Sequence, residues 1–96
     1  MPFGKRQLAL RAAELGREDA VALTTAGSSL AQVLQELDAG IALIDRAREL
    51  NPNFATAWSS SAWARNYRGE AEVAIEHATR AIRLSPIPAA MKASVS

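Results

Sequence analysis

Two features of these 96 residues predict an all-α chain of about five antiparallel helices. The first is a fixed period: Ile41 to Pro52 reads IALIDRARELNP and Ile75 to Pro86 reads IEHATRAIRLSP, so five residue types recur at an offset of 34. Stepping back by the same interval pairs Leu10 with Ile44 and Ala78, and Ala13 with Ala47 and Ala81, which marks a partial unit at the front. A period of this length belongs to stacked helical repeats, in which each helix pair buries its apolar face against its neighbours. The second feature is apolar spacing at the helical rather than the alternating period, with no stretch that requires a strand.

Each helix has its own warrant. Leu8, Leu10, Ala12 and Leu15 give a first helix over about residues 5–16, ended by Gly16. Asp19 is placed to cap a second helix over about 20–34, which carries Val21, Leu23, Leu30, Val33 and Leu34. The third, about 38–50, carries Ile41, Leu43, Ile44, Ala47 and Leu50, with Asp38 as its expected N-cap and Pro52 after its end. Trp58, Ala62, Trp63 and Tyr67 lie on a fourth helix over about 54–68 that stops at Gly69. The fifth, about 71–84, holds Val73, Ala74, Ile75, Ala78, Ala81, Ile82 and Leu84 before Ser85-Pro86. Residues 87–96 have too little pattern for an element and read as a tail or a truncated next helix.

Composition narrows the function. With 49% hydrophobic and 22% charged residues the chain forms a core, and a net charge of +1 supplies no bulk field to recruit nucleic acid or an anionic membrane. The absence of cysteine excludes disulfides and thiolate chemistry, and one histidine cannot build a multi-histidine metal site. The longest uncharged run, Ala20 to Gln35, is too short and too polar to span a bilayer. No secretory leader is visible behind the N-terminus, so cytoplasmic residence is the expectation.

The second unit resembles the tetratricopeptide repeat: Trp58, Ala62, Gly69, Ala74, Ala81 and Pro86 fall on the family's tryptophan, small contact residue, turn glycine, alanines and proline. Arg65 and Ala78 depart from it, where the family usually places aromatics. In the looser first unit Ser28, Ala47, Leu50 and Pro52 fit, while Thr24 stands for the tryptophan, Gln35 for the turn glycine and Gly40 for an alanine. The resemblance implies a right-handed superhelix divided into a half repeat at 5–18, repeats at 21–54 and 55–86, and the tail at 87–96. NPNFATAW, RNYRGEAEVAIEHATRAIRLSP and GREDAVALTTAG are further similar to the tetratricopeptide region of bacterial class III adenylate cyclases and related winged-helix regulators. Cyclase activity itself does not transfer, because the chain is too short for a cyclase domain.

Catalytic readings are weak. His77 is the only histidine, and Glu76 beside it in sequence cannot face it on a helix, so a structural or solvated His77 is expected. Ser28-Ser29 and Ser59-Ser60-Ser61 read as close-packing or groove-lining residues. Glu72 and Glu76 share a helical face but offer too few oxygens for calcium or magnesium, and Ala26-Gly27-Ser28-Ser29 lacks the features of a phosphate loop. No catalytic residue, metal or cofactor is therefore expected.

A binding groove remains. In the tetratricopeptide family the first helix of each unit lines the concave surface. Carried over, those positions are Thr25, Ser29 and Gln32, then Thr56, Ser59, Trp63, Asn66 and Tyr67. The resemblance thus implies a non-catalytic protein-interaction scaffold of a bacterial signalling protein. Its groove holds an extended peptide through hydroxyl and amide groups, with an apolar side chain against Trp63 and Tyr67. Only Asn66 is of the type that clamps a terminal carboxylate, which argues against that mode. Trp63 packed against a neighbouring unit or chain is the equal alternative. The rival function is a nucleic-acid-binding helical repeat using Arg65, Arg68, Arg80 and Arg83, diluted by Glu70, Glu72 and Glu76. An ion pair such as Glu72 or Glu76 with Arg80, on a solvated face, is the expected use of those charges. Leu8, Leu10 and Leu15 are expected to cover helix two, whereas nothing clearly apolar covers Ile75 and Ile82. That open end predicts either a longer repeat region or a homodimer formed through it.

Overall fold

The computed structural model describes residues 4–85. Five helices occupy that span: α1 (Lys5–Leu15), α2 (Ala20–Gln32), α3 (Leu37–Leu50), α4 (Ala55–Tyr67) and α5 (Ala71–Leu84). No strand occurs among the described residues. Each helix packs on the next in the chain, and α2 also packs on α4, so the hairpins α2/α3 and α4/α5 lie against each other with α1 alongside α2. The expectations for Pro86 and for 87–96 fall outside the described residues.

The connections explain the boundaries. Asp19 caps α2, its Oδ1 accepting from the N–H groups of Val21 (2.9 Å) and Ala22 (3.3 Å). Asp38, by contrast, caps nothing. Helix α3 begins one residue earlier, at Leu37, and Asp38 sits in its first turn, where it pairs with Arg68 at 2.8 Å. An acidic side chain there complements the partial positive charge of the helix start without acting as a cap. Helix α2 stops short of residue 34 because Gln35 turns the chain with φ +55°. Thirty-four residues later Gly69 makes the corresponding turn with φ +91°, so the repeat is present in the backbone where the side chains differ.

The core is built from small residues. Ala26, Ala47 and Ala57 meet Ala13 and Leu23 in one buried cluster, and Ala31, Ile41 and Ala64 form a second, flanked by Leu37 and Trp63. The closest approach lies inside the first hairpin. A Cβ on Gly27 would lie 2.7 Å from the carbonyl oxygen of Gly40, and one on Gly40 would lie 2.6 Å from that of Gly27. Helices α2 and α3 therefore touch backbone to backbone, a distance no larger residue permits.

Two expectations about the ends are corrected. Leu8 and Leu15 do not cover α2: both are exposed, Leu15 at 77%, and α1 instead presents Ala9 and Ala13 to its neighbour. These two lie one turn apart and let α1 approach more closely than a leucine face would. At the other end Ile75 and Ile82 are exposed, as their position on α5 implied.

The turn and the crossing are open to test by thermal unfolding. Replacing Gln35 by Gly removes the left-handed penalty and should stabilise the chain by about 1 kcal/mol, raising the melting midpoint by about 4–8 °C. Gly40→Ala should lower stability by about 1–3 kcal/mol, because one helix must move off the other.

Candidate functional site

Three depressions take up most of the residues predicted to bind. The largest, of about 600 Å³, lies between α1 and α2 and is lined by Thr25 and Ser29 together with Leu8, Ala12, Ala26 and Val33. A second, of about 300 Å³, brings Gln32 together with Trp63 and Tyr67 where α2 meets α4. The third, of about 270 Å³, sits between α4 and α5 and includes Thr56 and Ser59 beside Ile82. Asn66 is exposed on α4 and lines none of the three. The eight positions are thus distributed along α2 and α4 rather than gathered round a single cavity.

Trp63 and Tyr67, one turn apart, have ring centroids separated by 4.4 Å and planes tilted by 31°. Trp63 is half-buried against Ala31, Ile41 and Ala64, so it packs on the neighbouring unit, while Tyr67 stands 65% exposed. The indole anchors the pair and the phenol extends it into solvent.

Between the hairpins lies a polar cluster that the sequence concealed. Arg65 uses every edge of its guanidinium. Its Nη2 donates to both oxygens of Asp45 at 2.7 Å, Nη1 to Glu70 at 3.3 Å, and Nε to the hydroxyl of Ser61 at 3.0 Å. Asp45 also accepts from Arg48 at 2.6 Å. Burial raises the carboxyl pKa of Asp45, but the hydrogen bonds from Arg48 and Arg65 outweigh it, so the group stays below its usual range. Arg68 donates to Asp38 and to Glu70, which holds the Glu70 carboxyl low as well.

Ser61 joins this cluster to His77. The serine is fully buried and its Oγ lies 2.7 Å from Nδ1 of His77. The Nδ1 atom is the one described acceptor for the Ser61 proton, an arrangement that places the histidine's own proton on Nε2. Burial of the ring, and after it the charges of Arg48 and Arg65, push the imidazole pKa down. The ring stands edge-on to Trp58 at 4.9 Å, and Trp58 in turn lies under Arg48 at 4.7 Å and Arg80 at 5.7 Å. Its indole N–H donates to the carbonyl of Pro52 at 2.8 Å.

A serine paired with a histidine has the outline of a nucleophile and its base. Here the hydroxyl has no exposed surface and is held between the ring of His77 and the Nε of Arg65. Two further serines meet between helices, Ser28 and Ser60 at 3.1 Å across the α2/α4 contact, whereas Ser29 and Ser59 face the depressions. Among the described residues no group of three acidic or histidine side chains is disposed to hold a metal ion, and no helix is long and apolar enough to cross a membrane.

The arginines proposed for nucleic acid are largely engaged. Arg65 is 11% exposed and Arg68 is ion-paired, while Arg80 lies over Trp58 instead of pairing with Glu76 as expected. The attraction of the indole face competes successfully with an exposed carboxylate, whose pairing in water is worth little. The one signal for this cluster in the sequence was Arg65 itself, a charge in a helix of small residues at a position where the resemblance leads one to expect an aromatic. No family model and no curated protein matches the chain.

The pH response follows from these partners. His77 has a lowered pKa in the fold, so the unfolded chain takes up its proton first; the contribution to stability is complete above about pH 6.5 and is lost as pH falls through the lowered folded value. Asp45 loses its contribution only in more acid solution, below about pH 4. Melting midpoints measured from neutral pH downward should therefore fall in two stages. His77→Gln, which retains an acceptor for Ser61, should remove the first stage only.

Proposed function

We propose that this chain is a non-catalytic protein-interaction scaffold of the tetratricopeptide type. The observation that carries the reading is the recurrence of the same hairpin at 34 residues: α3 and α5 begin and end in step, and Gln35 and Gly69 turn the chain at matching places. Stacked hairpins expose the first helix of each unit over its length. On α2 and α4 that exposure supplies hydroxyls and amides from Thr25, Ser29, Gln32, Thr56, Ser59 and Asn66, and the aromatic pair Trp63 and Tyr67. Such a surface suits a polypeptide held by polar hydrogen bonds with one apolar anchor against the rings.

The competing uses have less support. A catalytic reading would have to employ a serine closed off from solvent, and a nucleic-acid reading would have to draw Arg65 and Arg68 out of their ion pairs. The natural setting in this proposal is a bacterial cytoplasmic signalling protein of the cyclase-associated or winged-helix regulator type, on the strength of the sequence likeness alone. The exposed Ile75 and Ile82 favour a separate use of the α5 face, the pairing of two copies.

Affinity capture from the source cell, followed by mass spectrometry, should recover a polypeptide that native protein retains and Trp63→Ala releases, with helicity unchanged by circular dichroism. Retention should be insensitive to salt. A log affinity that falls steeply with log salt would transfer the case to nucleic acid. Light scattering across a concentration series should show mass rising with concentration if α5 pairs two copies, and a constant monomer would exclude that pairing.

A further inference from the structure

The internal repeat allows one contact to be compared with its own counterpart. On α4, Ser60 hydrogen-bonds to Ser28 of α2, and Trp63 and Tyr67 border the depression formed with Ala31 and Gln32 of the same helix. These three residues are the face on which α2 is seated. Thirty-four residues earlier stand Ala26, Ser29 and Val33, and all three line the cleft between α1 and α2. The cleft therefore occupies, in the first unit, the position that α2 itself fills in the second. No described helix lies there.

We infer that the α1/α2 cleft is a docking site for an amphipathic α-helix of a partner protein, with bulky apolar side chains on one face and an acidic group toward Lys5. This rests on the interaction-scaffold reading and specifies the partner at the front of the molecule. The occupant is a helix because the surface is the repeat counterpart of the α4 face on which α2, a helix of 13 residues, is seated. A cleft flanked by helices of 11 and 13 residues has room for three to four helical turns.

The side chains follow from the substitutions between the two seats. Where α4 fills the seam with the indole of Trp63, α2 offers only the hydroxymethyl of Ser29, and where α4 has Ser60, α2 has Ala26. With Ala12 opposite, the floor is small, and the space of about 600 Å³ is left for the partner to fill. Leucine, isoleucine or phenylalanine at i, i+4 and i+7 would do so. Leu8 and Val33, exposed at 53% and 59%, form apolar lips whose covering would favour association. Among the described residues Lys5 is the only charged one lining the cleft, and it has no ion-pair partner there. In a second copy α1 to α4 are already packed on their neighbours, so its exposed α5 is the alternative that sedimentation of the native chain and both variants distinguishes.

The probe is a fluorescein-labelled, lactam-bridged helical peptide of about 14 residues with leucine or phenylalanine on one face and glutamate beside it. Its control keeps the same apolar and acidic residues but carries prolines between them that prevent the helix. Fluorescence anisotropy should show the helical peptide binding native protein at least about tenfold more tightly than the control. Ser29→Trp, which places in α2 the residue that α4 carries, and Thr25→Arg, at an exposed position, should each weaken binding by about tenfold with helicity retained. Lys5→Glu should weaken it by about threefold, an effect that salt diminishes. Absence of helical-peptide binding, or equal binding by native protein and both cleft variants, would overturn the proposal. So would a sedimentation-detected dimer of the native chain that both variants abolish. The two readings separate cleanly. Extended-peptide binding that is lost in Trp63→Ala, with no binding of the helical peptide by native protein, would retain the scaffold and reject the helix seat. Helical binding that survives Trp63→Ala supports the seat independently of the aromatic groove.

Discussion

The rest of this structure depends on how closely its helices can approach. Among the described residues ten of the 14 buried apolar ones are alanine, and at Gly27 and Gly40 even a methyl group is excluded. Alanine buries little apolar area, so each contact is individually weak, but close packing brings many atoms within dispersion range. The same constraint displaces large side chains to the margins. Trp63 and Tyr67 are held at the edge of the α2/α4 seam, and Trp58 is held between the hairpin helices and two guanidinium groups. A core of small residues thus generates a surface with aromatic groups already fixed in place.

Small residues alone specify position poorly, because alanine faces can slide. The cluster of Asp45, Arg65, Glu70 and Ser61 supplies the missing definition. It links α3, α4 and the turn before α5, and one arginine reads four acceptor oxygens in fixed directions. Burying such charges yields little net stability after desolvation, yet a hairpin shifted by one turn would leave them unpaired. Its role is registration between the hairpins.

The helices and their order were legible in the sequence because their signals are local: Asp19 as a cap, Gly69 and Pro52 as punctuation, and apolar residues at helical spacing. The family resemblance even placed Gln35 at the position of a turn glycine. What stayed hidden was long-range pairing. Asp38 looks like a cap until Arg68 is known to lie beside it, 30 residues away, and Arg65 looks like a free cation until Asp45 is placed opposite. Leu8 and Leu15 misled for a related reason: hydrophobicity suggested the inner face, whereas the space available admits only Ala9 and Ala13. The candidate groove positions were found by analogy of position, and their division among three depressions required coordinates.

One feature of the layout bears on how the molecule comes apart. Every helix leans chiefly on its neighbours in the chain, and α1 has only α2, with the Arg6–Glu36 pair at 2.8 Å as its outlying tether. Loosening is then a matter of peeling from the ends. Amide protons of α1 should exchange with solvent before those of α2 and α3, whose glycine crossing is gripped from both sides. A terminal helix that lifts away at low cost would bare Leu23 and Ala26 beneath it and turn a narrow slot into a broad greasy shelf. The reach of the front surface is thereby governed by how often α1 lets go.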